Sequence, residues 1–485
     1  MSRTTRWRDA AAQRPTVTIV AVSLLLRMST SLLLVVVHAL FPSFDPSAAL
    51  LDMPWHARLE PFVRWDAVHF LKIARDGYSQ IEQSAAFMPG IPLAVLRGGG
   101  SLVAQLRGSS AVTAEDAAVA GMLATALATT AAAVLLHRLT LRLFPLAPPS
   151  YALLAALLWL LAPSRPTLHA APYTEPFATF FTFAGMLAFS SSRRGSHLLA
   201  ALGWGLSSMF RAQGAVLGFG FFGWRYLLDR PFRHGRLSIQ TFLSGLPAFA
   251  LLSTISAAPF LAFQVYIYQL HCSRDERRPW CDQGLGLSYG WIQREYWNVG
   301  PFRYWTLLQL PNFLLALPVL ALAFSASYAF YRAHASLALQ HTLPFLPAWL
   351  IPSSVPPNRA PSSSTQLRSS RPLTAAATSA LATEHVARLV PFVHLSTALY
   401  LLLFTTAHVQ IALRVCVCDP VVWWWAAELV LRDTEAGGKG VKPGAGRGRQ
   451  EGQQGGKRWG AWWVGYCVVW GTVSVVLWAL FLPPA

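Results

Sequence analysis

Charge is what this chain has least of. Only 12% of its 485 residues are Asp, Glu, Lys or Arg, about half the share of an average soluble domain. With 54% of residues hydrophobic, too little polar surface remains to cover a water-soluble fold of this length. Acidic residues are scarcer still, 21 against 39 Lys and Arg, which leaves a net charge of +18. Several motifs are also missing. There is no Cys-x-x-Cys pair to suggest a structural zinc site, and no Asp-x-Asp pair to hold a metal–nucleotide complex. No internal repeat is apparent, which counts against a transporter built from repeats. The five cysteines cannot all pair internally, because their number is odd.

What the chain does have is long apolar runs. Residues 16–41, 112–136, 240–268, 304–330, 388–415 and 459–482 each reach the ~20 residues that span a bilayer as a helix. The first run has a basic flank (Arg3, Arg6, Arg8, Arg14) like a signal peptide, but it is long, contains Arg27 and lacks a small-residue cleavage pattern. It reads as a retained signal-anchor helix. The basic residues lie in clusters between apolar runs, a pattern that marks cytosolic loops rather than a nucleic-acid surface.

This pattern predicts an all-α polytopic membrane protein. Residues 1–15 form a cytosolic basic N-terminus, and 16–330 a transmembrane core with luminal loops 42–111 and 269–303. Residues 331–386 form a flexible cytosolic loop and 387–432 more core, with 388–415 crossing outward and 421–431 returning. Residues 433–458 are a low-complexity Gly/Lys/Arg-rich loop, and 459–485 carry the last helix. Two hairpins, 150–163 with 173–190 and 197–209 with 215–224, are short for a ~30 Å bilayer. Broken helices of this kind line cavities, because their freed backbone groups need partners.

Candidate chemistry concentrates in the two loops expected to be luminal. In RWDAVHFLKIARDGY (64–78), Ala67, Phe70, Leu71 and Ala74 form one apolar stripe at helical spacing, so a short interfacial helix is expected, stopped by Gly77. Asp66 at its start is either an N-cap or a general base beside the membrane. Pro89, Gly90 and Pro92 are expected to break any helix there. Glu82 is either a solvated loop charge or a substrate contact. Arg211, at a hairpin tip, either snorkels to the interface or holds a phosphate. Glu175 and His169, at the other tip, fit a salt bridge or a cap as well as they fit a ligand. The second loop adds Arg278, Trp297 and Asn298 to a dense aromatic run, which suits a lipid interface or stacking on sugars. His408 is open between core packing and ligand contact. Cys272 and Cys281 are either a disulfide or two free thiols. These features suit an enzyme of lipid-phosphate substrates, with a lipid-head-group binder or channel as the other readings.

WDAVHFLKIARDGY followed by FMPGIPLA resembles the first-loop signature of the PIG-V family of GPI mannosyltransferases. RPWC…REYWNVGPFRYWTLLQLPNFLLALP, MFRAQG, TTAHVQIALRV and the terminal FLPPA are similar to later family segments, in the same order. Residues 85–87 read AAF where a more aromatic string is expected, and Gln213 stands where Asn is common. The resemblance implies a GT-C glycosyltransferase fold in the endoplasmic reticulum membrane, with luminal loops bearing short interfacial helices. It implies dolichyl phosphate mannose as donor, a mannosyl-glucosaminyl-phosphatidylinositol lipid as acceptor, and α-1,6 transfer of a second mannose without a cofactor or metal. It makes Trp65 and Asp66 the functional pair; Arg211, Arg278, Trp297, Asn298, Glu82 and His408 are the substrate contacts expected beside it. A small membrane subunit is left open. The alternatives are another dolichol-dependent mannosyltransferase and a lipid transporter or scramblase.

Overall fold

In lipid, a lone segment can pair all of its backbone groups only as a helix, and the apolar runs do fold that way. The computed structural model describes residues 13–45, 59–232, 237–273, 277–284, 286–343, 375–438 and 458–482. The long helices are α1 (Pro15–Leu40), α4 (Ala114–Leu143), α10 (Ile239–Cys272), α12 (Leu310–Thr342), α13 (Ala375–Thr406) and α16 (Trp459–Ala479). Between α1 and α4 lie α2 (Asp66–Asp76) and α3 (Gly99–Leu106). The two short hairpins are α5 (Pro149–Leu160), α6 (Arg165–His169) and α7 (Glu175–Phe189), then α8 (Ser196–Ser208) and α9 (Gln213–Gly223). The remaining helices are α11 (Ser288–Trp297), α14 (Ala412–Val415) and α15 (Pro420–Gly438).

Among the described residues, six helices are long and apolar enough to cross a membrane. A seventh crossing exists if the bent pair Val409–Cys418 and Pro420–Glu435 is one span. The chain is therefore an all-α, multi-pass membrane protein.

Three sequence expectations are corrected. The loop expected over 331–386 is shorter at both ends, because α12 runs on to Thr342 through a kink at His334 and α13 starts at Ala375. The intervening part, 344–374, lies outside the described residues, as do 439–457 of the low-complexity segment, 1–12, 46–58 and 483–485. The run 388–415 is not one crossing. Helix α13 ends at Thr406, and the chain then bends by 84° between Cys418 and Pro420. Proline cannot continue the preceding helix but suits the first turn of the next. There the Asp419 carboxylate accepts the Val421 N–H at 3.0 Å and the Ser396 hydroxyl at 2.5 Å. Finally, Pro89, Gly90 and Pro92 do not break the chain. They start a π-helical turn, Gly90–Gly98, that leads into α3. In a first turn the missing proline N–H has no helical partner to lose. Gly90 itself is fixed by close approach: its N–H bonds the Met209 carbonyl at 2.7 Å, and a Cβ would sit 2.7 Å from the same oxygen.

The two loops between the long helices join into one cap. Glu82 is buried rather than solvated. Its Oε1 accepts from Trp280 Nε1 at 2.5 Å and its Oε2 from the Tyr296 hydroxyl at 2.8 Å. Burial and the adjoining Glu82 carboxylate raise the Tyr296 phenol above its ordinary value, so it remains a donor. Cys272 and Cys281 are disulfide-bonded, which settles that alternative. Cys416, Cys418 and Cys467 are free and buried. Alkylation of the denatured, unreduced protein is expected to label three cysteines, and alkylation after reduction five, counted by intact mass.

Candidate functional site

The site is built on a strained turn. Arg64 to Ala67 form a β-turn closed by the Ala67 N–H on the Arg64 carbonyl at 3.1 Å. Trp65 takes φ 54° and ψ −127° in it, a conformation suited to glycine at the first central position of a type II′ turn. In a bulky residue this costs about 1–3 kcal/mol and persists only where packing enforces it. The enforcement is visible. Arg64 is fully buried and donates to Glu60 at 3.0 Å and Ser43 at 3.0 Å. Its guanidinium lies 5.0 Å from the Phe481 ring centroid, and the Trp65 ring packs 5.3 Å from the same ring.

The turn delivers Asp66 as the first residue of α2. The helix exists for the expected reason: Ala67, Phe70, Leu71 and Ala74 are buried along one stripe. The capping role is excluded, because Trp65 occupies the cap position and no side chain caps this helix. The Asp66 N–H donates to the Tyr173 hydroxyl at 3.0 Å. Its carboxylate Oδ2 accepts from Arg414 Nη2 at 3.0 Å. Oδ1 has no hydrogen-bond partner among the described residues, and the side chain is 30% exposed. One oxygen is thus held and the other is open.

Arg414 is the residue that sequence reasoning missed. It lies just before the bend in what read as a plain membrane span. Its Nε donates to Glu175 Oε1 at 2.6 Å, and its guanidinium covers the Tyr173 ring at 4.9 Å. Arg211 Nη1 donates to the same Oε1 at 2.7 Å. Glu175 is 1% exposed and starts α7, where the helix dipole favours a negative charge. Asp66, Arg414, Glu175 and Arg211 therefore form one chain of alternating charge. Of the expected residues, the structure brings together Trp65, Asp66 and Arg211.

The other candidates are placed differently. Both Glu82 oxygens are taken by the cap. Asn298 closes α11 in the left-handed conformation at φ 50°. His408 bonds the Trp297 carbonyl through Nε2, and its ring stacks 4.6 Å from Tyr304. His408 and Trp297 thus tie the second loop to the end of α13. Arg278 is exposed at the start of a short turn. An aromatic shelf flanks Asp66 on the same helix face: His69, one turn along, stacks on Phe87 at 5.6 Å, and Phe87 meets Trp297 edge-on at 6.3 Å. Among the described residues no three His, Cys, Asp or Glu side chains converge as a metal site.

The family model described as Mannosyltransferase (PIG-V) matches residues 16–485. GPI mannosyltransferase 2 of Cryptococcus neoformans is 34% identical over 460 residues, 92% of each chain. GPI alpha-1,6-mannosyltransferase 2 of Cricetulus griseus is 32% identical over 420 residues, 79% of this chain and 76% of its own. The protein of the same name from Homo sapiens is 33% identical over 330 residues, 61% of this chain and 63% of its own. No solved structure matches the chain. With a match that runs from the first membrane helix to the last residue, this chain belongs to the PIG-V family of mannosyltransferases.

Proposed function

We propose that the chain adds a mannose in α-1,6 linkage to a mannosyl-glucosaminyl-phosphatidylinositol lipid, using dolichyl phosphate mannose as donor, at the luminal face of the endoplasmic reticulum membrane. The single observation that carries this reading is the Asp66 carboxylate, anchored through one oxygen and open through the other. The names of the relatives support the acceptor class and the linkage. The Cys272–Cys281 disulfide, in the loop packed against the Asp66 loop, supports an oxidising, luminal side.

The donor sugar is β-linked to phosphate and the product is α-linked, so one in-line displacement with inversion is sufficient. Asp66 Oδ1 accepts the proton of the acceptor 6-hydroxyl as that oxygen attacks the anomeric carbon. The bond to the dolichyl phosphate breaks with its electron pair on the phosphate. Arg211 is the first candidate to stabilise that charge and exposed Arg278 the second. The His69–Phe87–Trp297 shelf offers aromatic faces to the acceptor sugars. The anchoring by Arg414 fixes which lone pairs face the acceptor, a matter of fractions of an ångström for a general base.

Asp66→Asn is expected to lower transfer about 10²–10⁴-fold, with membrane insertion unchanged. The check is rescue of surface GPI-anchored proteins in cells lacking the second GPI mannosyltransferase; full rescue by this variant removes Asp66 as the base. Arg414→Ala leaves the buried Glu175 with Arg211 alone. It is expected to cost about 3 kcal/mol, the low end for a broken buried pair, and to lower transfer about a hundredfold, part of what a general base supplies, read by thermal unfolding in detergent alongside activity.

A further inference from the structure

Glu175 is shared in a way that salt-bridge counting hides. Arg211 Nη1 and Arg414 Nε both donate to Oε1, at 2.7 and 2.6 Å. Oε2 receives the Thr174 hydroxyl, at 3.4 Å. Two guanidinium groups thus compete for one oxygen on a carboxylate that is 1% exposed, where charges interact far more strongly than in water.

We infer that Glu175 is a positioning residue that couples the general base to the donor-phosphate arginine. The inference rests on the function proposed above. In the resting enzyme the charges alternate: Asp66 negative, Arg414 positive, Glu175 negative, Arg211 positive. During transfer the acceptor oxygen bonds to the anomeric carbon, and the anomeric carbon–phosphate oxygen bond breaks with its electron pair on the phosphate. The hydroxyl proton goes to Asp66 Oδ1. One negative charge has left Asp66 and one has appeared on the phosphate. Arg414, its Asp66 partner now neutral, presses its claim on Glu175 Oε1. Arg211 loses part of that oxygen and turns its donors to the phosphate as the phosphate charge rises. No proton travels along the relay and no co-reactant is needed.

The sign of this coupling sets its test. Glu175→Gln keeps the shape and removes the shared anion. Arg211, relieved of its counter-charge, attracts the donor phosphate more strongly in the ground state. Arg414, left with Asp66 alone, holds the base more tightly. Assayed in detergent with dolichyl phosphate mannose and a synthetic mannosyl-glucosaminyl-phosphatidylinositol, the variant is expected to show a donor KM lowered about fivefold, within the usual range of coupling between sites. Its kcat is expected to fall about tenfold or more, part of what a general base supplies. A residue with a merely structural role would lower activity without lowering the donor KM. The double variant Glu175→Gln/Arg414→Gln removes one anion and one cation, so its buried charge stays balanced; it carries the test if the single variant does not accumulate, with the same lowered donor KM expected. A donor KM unchanged or raised in whichever variant accumulates overturns the coupling. If Asp66→Asn is inactive at the same time, only the coupling is lost; an active Asp66→Asn removes the reading beneath it as well.

Discussion

Two carboxylates, Asp66 and Glu175, meet on the guanidinium of Arg414, and much of the surrounding structure follows from accommodating that meeting. A guanidinium only 17% exposed is costly unless its donors are met. Here Nε and Nη2 each find a carboxylate and the flat face finds the Tyr173 ring. Each carboxylate is brought by a broken or short helix: Glu175 by α7 after the α5–α6 turn, Asp66 by α2 after the strained Trp65. Arg414 itself lies in the one-turn helix α14, just before the 84° bend. Short and interrupted helices are the means by which polar groups meet inside such a protein with their backbone still satisfied.

The cap around this centre is cross-braced rather than loosely looped. Glu82 ties the first loop to Trp280 and Tyr296 of the second. The disulfide closes the second loop on α10, and His408 holds the end of α11 to the turn after α13. Two backbone bonds, from Gly300 to Thr406 at 2.8 Å and from Phe302 to Thr405 at 2.6 Å, repeat that tie. Glu82, Trp297 and His408, chosen from the sequence as substrate contacts, thus also act as braces, and the braces position the aromatic shelf beside Asp66.

The fold was readable where run length alone decides the outcome. Long apolar stretches became long helices, and the stripe from Ala67 to Ala74 became the buried face of α2. Asp66 was readable as a choice between two roles, and the turn geometry at Trp65 removed one of them, the cap. Arg414 was not readable, although a signal was present: a charge inside an apolar run is a functional hint by default. Its partners lie elsewhere in the chain, and pairing across such distances is a property of packing, not of local pattern. The Asp419–Pro420 step likewise announced a break that run length overrode. Glu82 shows the reverse error, since a lone carboxylate in a loop looks solvated until the two donors that bury it are known.

Asp66 and Arg414 are 348 residues apart, and this separation governs when the charge cluster can form. During synthesis, the first loop leaves the ribosome long before Arg414 is translated. Until then Asp66 and Glu175 have no common cation. A ribosome that stalls, or a message that stops, anywhere upstream of that codon yields membrane helices in which the two carboxylates lack the cation they share.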